Sequence, residues 1–88
     1  MSLITSAELR RRFAAAGYSI RIRTVSFVDL ARCSGTRVDI VLNGEVRPSI
    51  TFDEESRKRW EPANRVIGEV KHMKMVVRNG PPQTITFS

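Results

Sequence analysis

The sequence predicts a small α+β protein: an N-terminal helix, a three-stranded antiparallel meander, one or two helices and a C-terminal β-hairpin. Three observations predict it. Residues 20–52 alternate apolar and polar side chains, interrupted only by the turn pairs Ser34-Gly35 and Asn43-Gly44. Ahead of them Leu9, Phe13 and Ala16 recur at helical spacing, and behind them the acids Asp53, Glu54 and Glu55 precede the bases Arg57, Lys58 and Arg59, the charge order that suits the two ends of a helix. With 88 residues the chain makes one domain, residues 1–88, burying roughly two-thirds of the surface its unfolded form exposes.

The first helix is expected over residues 7–16. Ser6 stands as its N-cap, Glu8 lies in the first turn where an acid suits the helix dipole, and Gly17 is a natural stop. Arg10, Arg11 and Arg12 fall inside it and, at roughly 100° per residue, do not share one narrow stripe.

In the meander, a turn at Ser34-Gly35 would set Ala31 opposite Val38, Asp29 opposite Ile40 and Phe27 opposite Leu42, giving a face apolar except at Asp29. A three-residue bulged loop, Asn43-Gly44-Glu45, then pairs Leu42 with Val46 and brings Ile50 and Phe52 to the same face; a two-residue Asn-Gly turn would set Ile40 against Arg47. The apolar parity changes between Ile22 and Val25, which asks for a bulge near Arg23-Thr24. A short helix over 26–33 is the rival for that segment.

A helix over 53–60 is supported by the i,i+4 pairs Glu54 with Lys58 and Glu55 with Arg59, and Trp60 is its core anchor. Pro62 ends or kinks it and can begin a second helix, in which Ala63, Val66, Ile67, Val70 and Met73 follow helical spacing; Gly68 keeps a strand through Val66 and Val70 as the alternative. Residues 73–78 and 83–87 flank Asn79-Gly80-Pro81-Pro82 as two strands, the last with Ile85 and Phe87 inward, Thr84 and Thr86 outward, at a sheet edge able to pair in a homodimer.

The composition, 41% hydrophobic and 27% charged, is that of an ordinary globular domain. No apolar run approaches the roughly 20 residues of a membrane span, and no secretory signal opens the chain, so no membrane partner and a cytoplasmic location are expected. The net charge of +6 is the outlier and points to an acidic protein partner or to nucleic acid.

Chemistry is sparse. One Cys and one His make no metal site, and the five glycines are too scattered for a phosphate loop, so no metal, cofactor or catalytic residue is expected and the protein is read as a non-enzyme. Cys33 reads as a small apolar residue rather than a reactive thiol, and His72, between Lys71 and Lys74, as a solvent-exposed side chain rather than a general base.

The order of helix, meander and helix over residues 7–60 resembles double-stranded-RNA-binding domains and small toxin ribonucleases of the same plan. In the RNA-binding family a basic cluster opening the second helix meets phosphates, and Arg57, Lys58 and Arg59 fall near that position. Three acids precede the cluster here, and His72 lies far beyond the meander that bears the ribonucleases' histidine. The functional expectation is a small basic interaction module, an inhibitor or accessory subunit that binds a protein partner without catalysis. The alternative is a module that contacts the nucleic-acid backbone with little base specificity. The binding residues in either case are Arg10, Arg11, Arg21, Arg23, Arg57, Lys58 and Arg59.

Overall fold

A computed structural model describes residues 2–27, 33–76 and 81–87. The elements run β1 (Leu3–Thr5), α1 (Ser6–Ala15), β2 (Ser19–Phe27), β3 (Cys33–Leu42), β4 (Glu45–Val46), α2 (Glu54–Val70), β5 (Lys74–Val76) and β6 (Gln83–Phe87). The class is α+β, but the expected meander and appended hairpin are replaced by one mixed sheet in the order β1-β5-β6-β3-β2, with β4 beside β3. Parallel pairs β1 with β5 and β3 with β6 alternate with antiparallel pairs β5 with β6 and β2 with β3. The last two strands do pair antiparallel, yet they lie inside the sheet. Likewise β6 is flanked by β5 and β3 and is no edge strand. Over residues 7–60 the order helix, strands, helix is present as α1, β2, β3, β4 and α2, but β4 has only two residues and β6 lies parallel beside β3, so the strands do not form the separate three-stranded meander of the RNA-binding and ribonuclease plans.

The register explains the difference. One unbroken ladder runs from Ser19 opposite Val41 to Phe27 opposite Cys33, with no bulge at Arg23-Thr24. It sets Ile20 against Ile40 and Ile22 against Val38, which keeps four aliphatic side chains on one face. Ser34-Gly35 consequently lies within β3, where Gly35 pairs with Thr84, rather than in a turn. Asp29 and Ala31, whose partners the expected meander named, lie outside the described residues.

At the next turn Asn43 and Gly44 both have positive φ, 51° and 82°, the conformation of a two-residue type I′ hairpin. Val41 therefore faces Val46 and Leu42 faces Glu45, and the Arg47 N–H donates to the Ile40 carbonyl at 2.8 Å. The bulged loop is not formed, and the strand ends after Val46. Ile50 and Phe52, expected inward, are 64% and 89% exposed.

Helix α1 begins one residue earlier than expected. Thr5, extended at φ −89° and ψ 162°, is its N-cap, and its Oγ1 accepts the Glu8 N–H at 3.2 Å. At the other end Gly17, φ +96°, lets its N–H reach the Ala14 carbonyl while Tyr18 N–H reaches that of Phe13, both at 2.9 Å.

Helix α2 runs unbroken through Pro62. An interior proline costs about 3 kcal/mol. The stripe Trp60, Ala63, Val66 and Val70 is buried along the helix, and a fully buried Val contributes about 1.5–3 kcal/mol, so the two valines alone offset the break. Asp53 caps the helix, its Oδ1 accepting the Ser56 N–H at 2.7 Å, and Glu54 and Glu55 fill the first turn.

Both helices pack on one face of the sheet. The core joins Leu9 and Phe13 of α1 and the α2 stripe to Ile4, Ile20, Val38, Ile40, Met75 and Ile85 of the strands. Trp60, 1% exposed, stacks on Tyr18 with ring centroids 5.7 Å apart, and the Tyr18 hydroxyl donates to the Arg59 carbonyl. On the same face Thr36 Oγ1 meets Gln83 Oε1 at 2.7 Å, a buried polar pair. No described helix is long and apolar enough to cross a membrane.

Candidate binding surface

Side chains alternate along strands, so a sheet covered by helices on one face leaves the other to the odd-numbered residues of β2 and β3. The ladder sets Arg21 opposite Asp39 and Arg23 opposite Arg37, and β6 continues the row with Thr86 beside Arg37 and Thr84 beside Gly35. Lys74 of β5 lies opposite Thr84. Arg21, Arg23, Arg37, Thr84 and Thr86 are exposed, and Lys74 is half-buried. Like charges directly across a ladder repel, and Arg23 opposite Arg37 is such a pair. Asp39 relieves it diagonally: Arg23 Nη2 donates to Asp39 Oδ2 at 3.1 Å. Among the described side chains, four cations share this face with one carboxylate, an arrangement suited to holding further anions.

At the β1–β5 edge the face also carries aliphatic side chains. Leu3 of β1 lies opposite Lys74 and Thr5 opposite Val76, and Leu3 and Val76 are both exposed large hydrophobics. A second exposed apolar group, Val46, Ile50 and Phe52, lies on the chain between β3 and α2. No aromatic residue with a described side chain stands on the open sheet face; Phe13, Tyr18 and Trp60 belong to the core.

The seven binding residues expected from sequence are divided. Arg21 and Arg23 lie on the open face. Arg10 reaches the edge of β2, where its Nη1 donates to the Ile20 carbonyl at 3.0 Å. Arg11 pairs with Glu8 on α1, as does Arg12 at 3.2 Å. These guanidiniums, Arg12 foremost, hold the Glu8 carboxyl below its ordinary value. Arg57 and Lys58 project from α2, on the helical side, and Arg59 spans Glu45 at 3.4 Å and Glu55 at 3.9 Å. The basic run of α2 and the strand arginines therefore do not form one patch.

Arg37 and Lys74 join the surface without having been among the expected residues. The signal for Arg37 was the polar alternation Arg37-Asp39, legible once the register with Arg21 and Arg23 is known. Arg47 lies on the inner face opposite Ile40; its Nε is buried without a partner, and burial lowers its pKa. His72 is exposed beyond the end of α2, and the side chain of Cys33 lies outside the described set. Among the described residues no group of three or more His, Cys, Asp or Glu gathers as a metal site. No protein-family model, curated protein or solved structure matches the chain.

Proposed function

We propose that this chain is a small non-catalytic interaction module, an inhibitor or accessory subunit, whose open sheet face receives an acidic protein partner. The observation that carries the reading is the make-up of that face: Arg21, Arg23 and Arg37 on β2 and β3, and Lys74 next to the exposed Leu3 and Val76 on β5 and β1 across β6. Aliphatic side chains bordering a basic patch suit a protein surface, where apolar burial supplies affinity and charge supplies orientation and encounter rate. The cations and hydroxyls of the face hold anions, and the reading gives none of them a chemical step.

One observation favours a second reading, contact with a nucleic-acid backbone. Arg21, Arg23 and Arg37 stand beside the hydroxyls of Thr84 and Thr86, and both kinds of donor serve phosphates. The face lacks described aromatic platforms on which bases stack, so this mode would carry little sequence preference.

The deciding experiment is affinity purification after nuclease digestion, using the wild-type chain and the variant R21E/R23E/R37E, with anisotropy of labelled DNA and RNA at about 50 and 200 mM salt alongside. A protein partner that survives nuclease and is lost in the variant is the expected result. Tight nucleic-acid binding that collapses with salt, together with loss of every protein on digestion, would replace the first reading by the second.

A further inference from the structure

We infer that the free edge of β2 takes an extended acidic segment of the partner as an added strand, its acidic side chains lying on the open face over Arg21 and Arg23. This rests on the reading that the partner is an acidic protein, and it fixes where and in what conformation that partner binds.

The sheet order ends at β2, a nine-residue strand paired only with β3 among the described residues. The direction of its backbone groups follows from the ladder. Ile40 turns its carbonyl away from β2, where it accepts from Arg47 N–H, so Ile20 and Ile40 form a non-hydrogen-bonded pair. The N–H and C=O of Ile20 and Ile22, and of Thr24 and Ser26 in the same phase, therefore point out of the edge. Arg10 confirms the geometry at one end, since its Nη1 reaches the Ile20 carbonyl from outside at 3.0 Å. It supplies there the donor that an added strand would supply farther along. Beyond Ile20, a row with no strand partner among the described residues is a template for another strand, and added strands take affinity from the main chain and specificity from alternate side chains.

The side chains bordering the edge select the occupant. On the open face they are Arg21 and Arg23, backed by Arg37; on the helical face the half-buried Ile22 borders the core. A segment alternating acidic and apolar residues matches both faces at once, because directly opposed charges of opposite sign stabilise a ladder. A second copy of this chain does not match, for it would set Arg21 and Arg23 against their own counterparts.

The probe is a capped peptide, Thr-Glu-Val-Glu-Val-Glu-Thr, compared by fluorescence anisotropy with Glu-Glu-Glu-Val-Val-Thr-Thr, which has the same composition without alternation. Two further peptides carry N-methyl groups on both valines, which blocks an antiparallel added strand, or on all three glutamates, which blocks a parallel one. Strand addition predicts that the alternating peptide binds about tenfold tighter than the scrambled one, and that one N-methylated form loses binding while the other keeps it. R21E/R23E should lose the alternating peptide by a similar factor. Equal affinity for all four peptides, or equal loss in both methylated forms, overturns strand addition; if R21E/R23E/R37E still abolishes binding, the acidic-partner reading stands. Binding of duplex DNA but of no peptide overturns both.

Discussion

The two faces of the sheet are built from the same alternating strands and are used in opposite ways. The inner face carries Ile20, Val38, Ile40 and Ile85 under two helices, together with the buried Thr36–Gln83 pair. The outer face carries arginines, threonines, a few exposed aliphatics and one buried one, Val41, and no described helix packs over it. Most of the buried apolar surface therefore lies on one side, while the other holds charges that add little to folding. A cross-strand Arg23–Arg37 opposition is tolerable only where solvent screens it and Asp39 lies close.

That division can be broken most severely from the inside. Trp60→Ala removes the largest buried side chain and its stacking on Tyr18, and should cost about 3–5 kcal/mol in urea unfolding. Thr36→Val orphans Gln83 Oε1 and should cost about 1–3 kcal/mol, whereas Thr36→Val with Gln83→Leu should recover most of the loss. Thr5→Ala, which removes the α1 cap, should cost about 1 kcal/mol. On the outer face, Arg21→Gln or Arg37→Gln should each change stability by no more than about 0.5 kcal/mol while weakening the acidic partner. A large loss of stability from either substitution would collapse the contrast between the faces.

The smallest effect is in acid. The Asp53 carboxyl is held below its ordinary value, first by the Ser56 N–H it accepts, and Glu8 is held low by Arg12 and Arg11. A carboxyl depressed in the folded state stabilises the protein above its unfolded pKa, and that contribution is lost as pH falls through the folded value. Stability should therefore decline below about pH 4. Asp53→Asn retains a competent cap but has no proton to bind, so its acid decline should be shallower. An identical acid limb in the variant would remove Asp53 from the account.

Local signals were legible wherever a few residues determine the outcome. Gly17 stops α1, Trp60 anchors the core, and the alternation of Ile85 and Phe87 with Thr84 and Thr86 matches the observed burial. The pairing partners were not legible, because they depend on contacts distant in sequence. Gly35 resembles a turn residue until β6 arrives beside it, and Leu3-Ile4-Thr5 is too short to declare itself as a strand before it meets β5. The cap at Thr5 has a local sign, Thr5-Ser6-Ala7-Glu8, one residue ahead of the expected cap Ser6. The basic residues were identifiable by type, but their division between two faces followed from the register. The approach of Arg37 to Arg23 appears only when β2 and β3 are paired about Ile20 and Ile40.

The most direct test of the two-faced account is a two-dimensional amide NMR titration of the labelled protein with the alternating acidic peptide. Progressive shifts are expected at Arg21, Ile22, Arg23 and Arg37, with the amides of Arg57, Lys58 and Arg59 unmoved. Shifts centred on α2, with β2 and β3 silent, would contradict it and return the basic run of the second helix to the role of binding site.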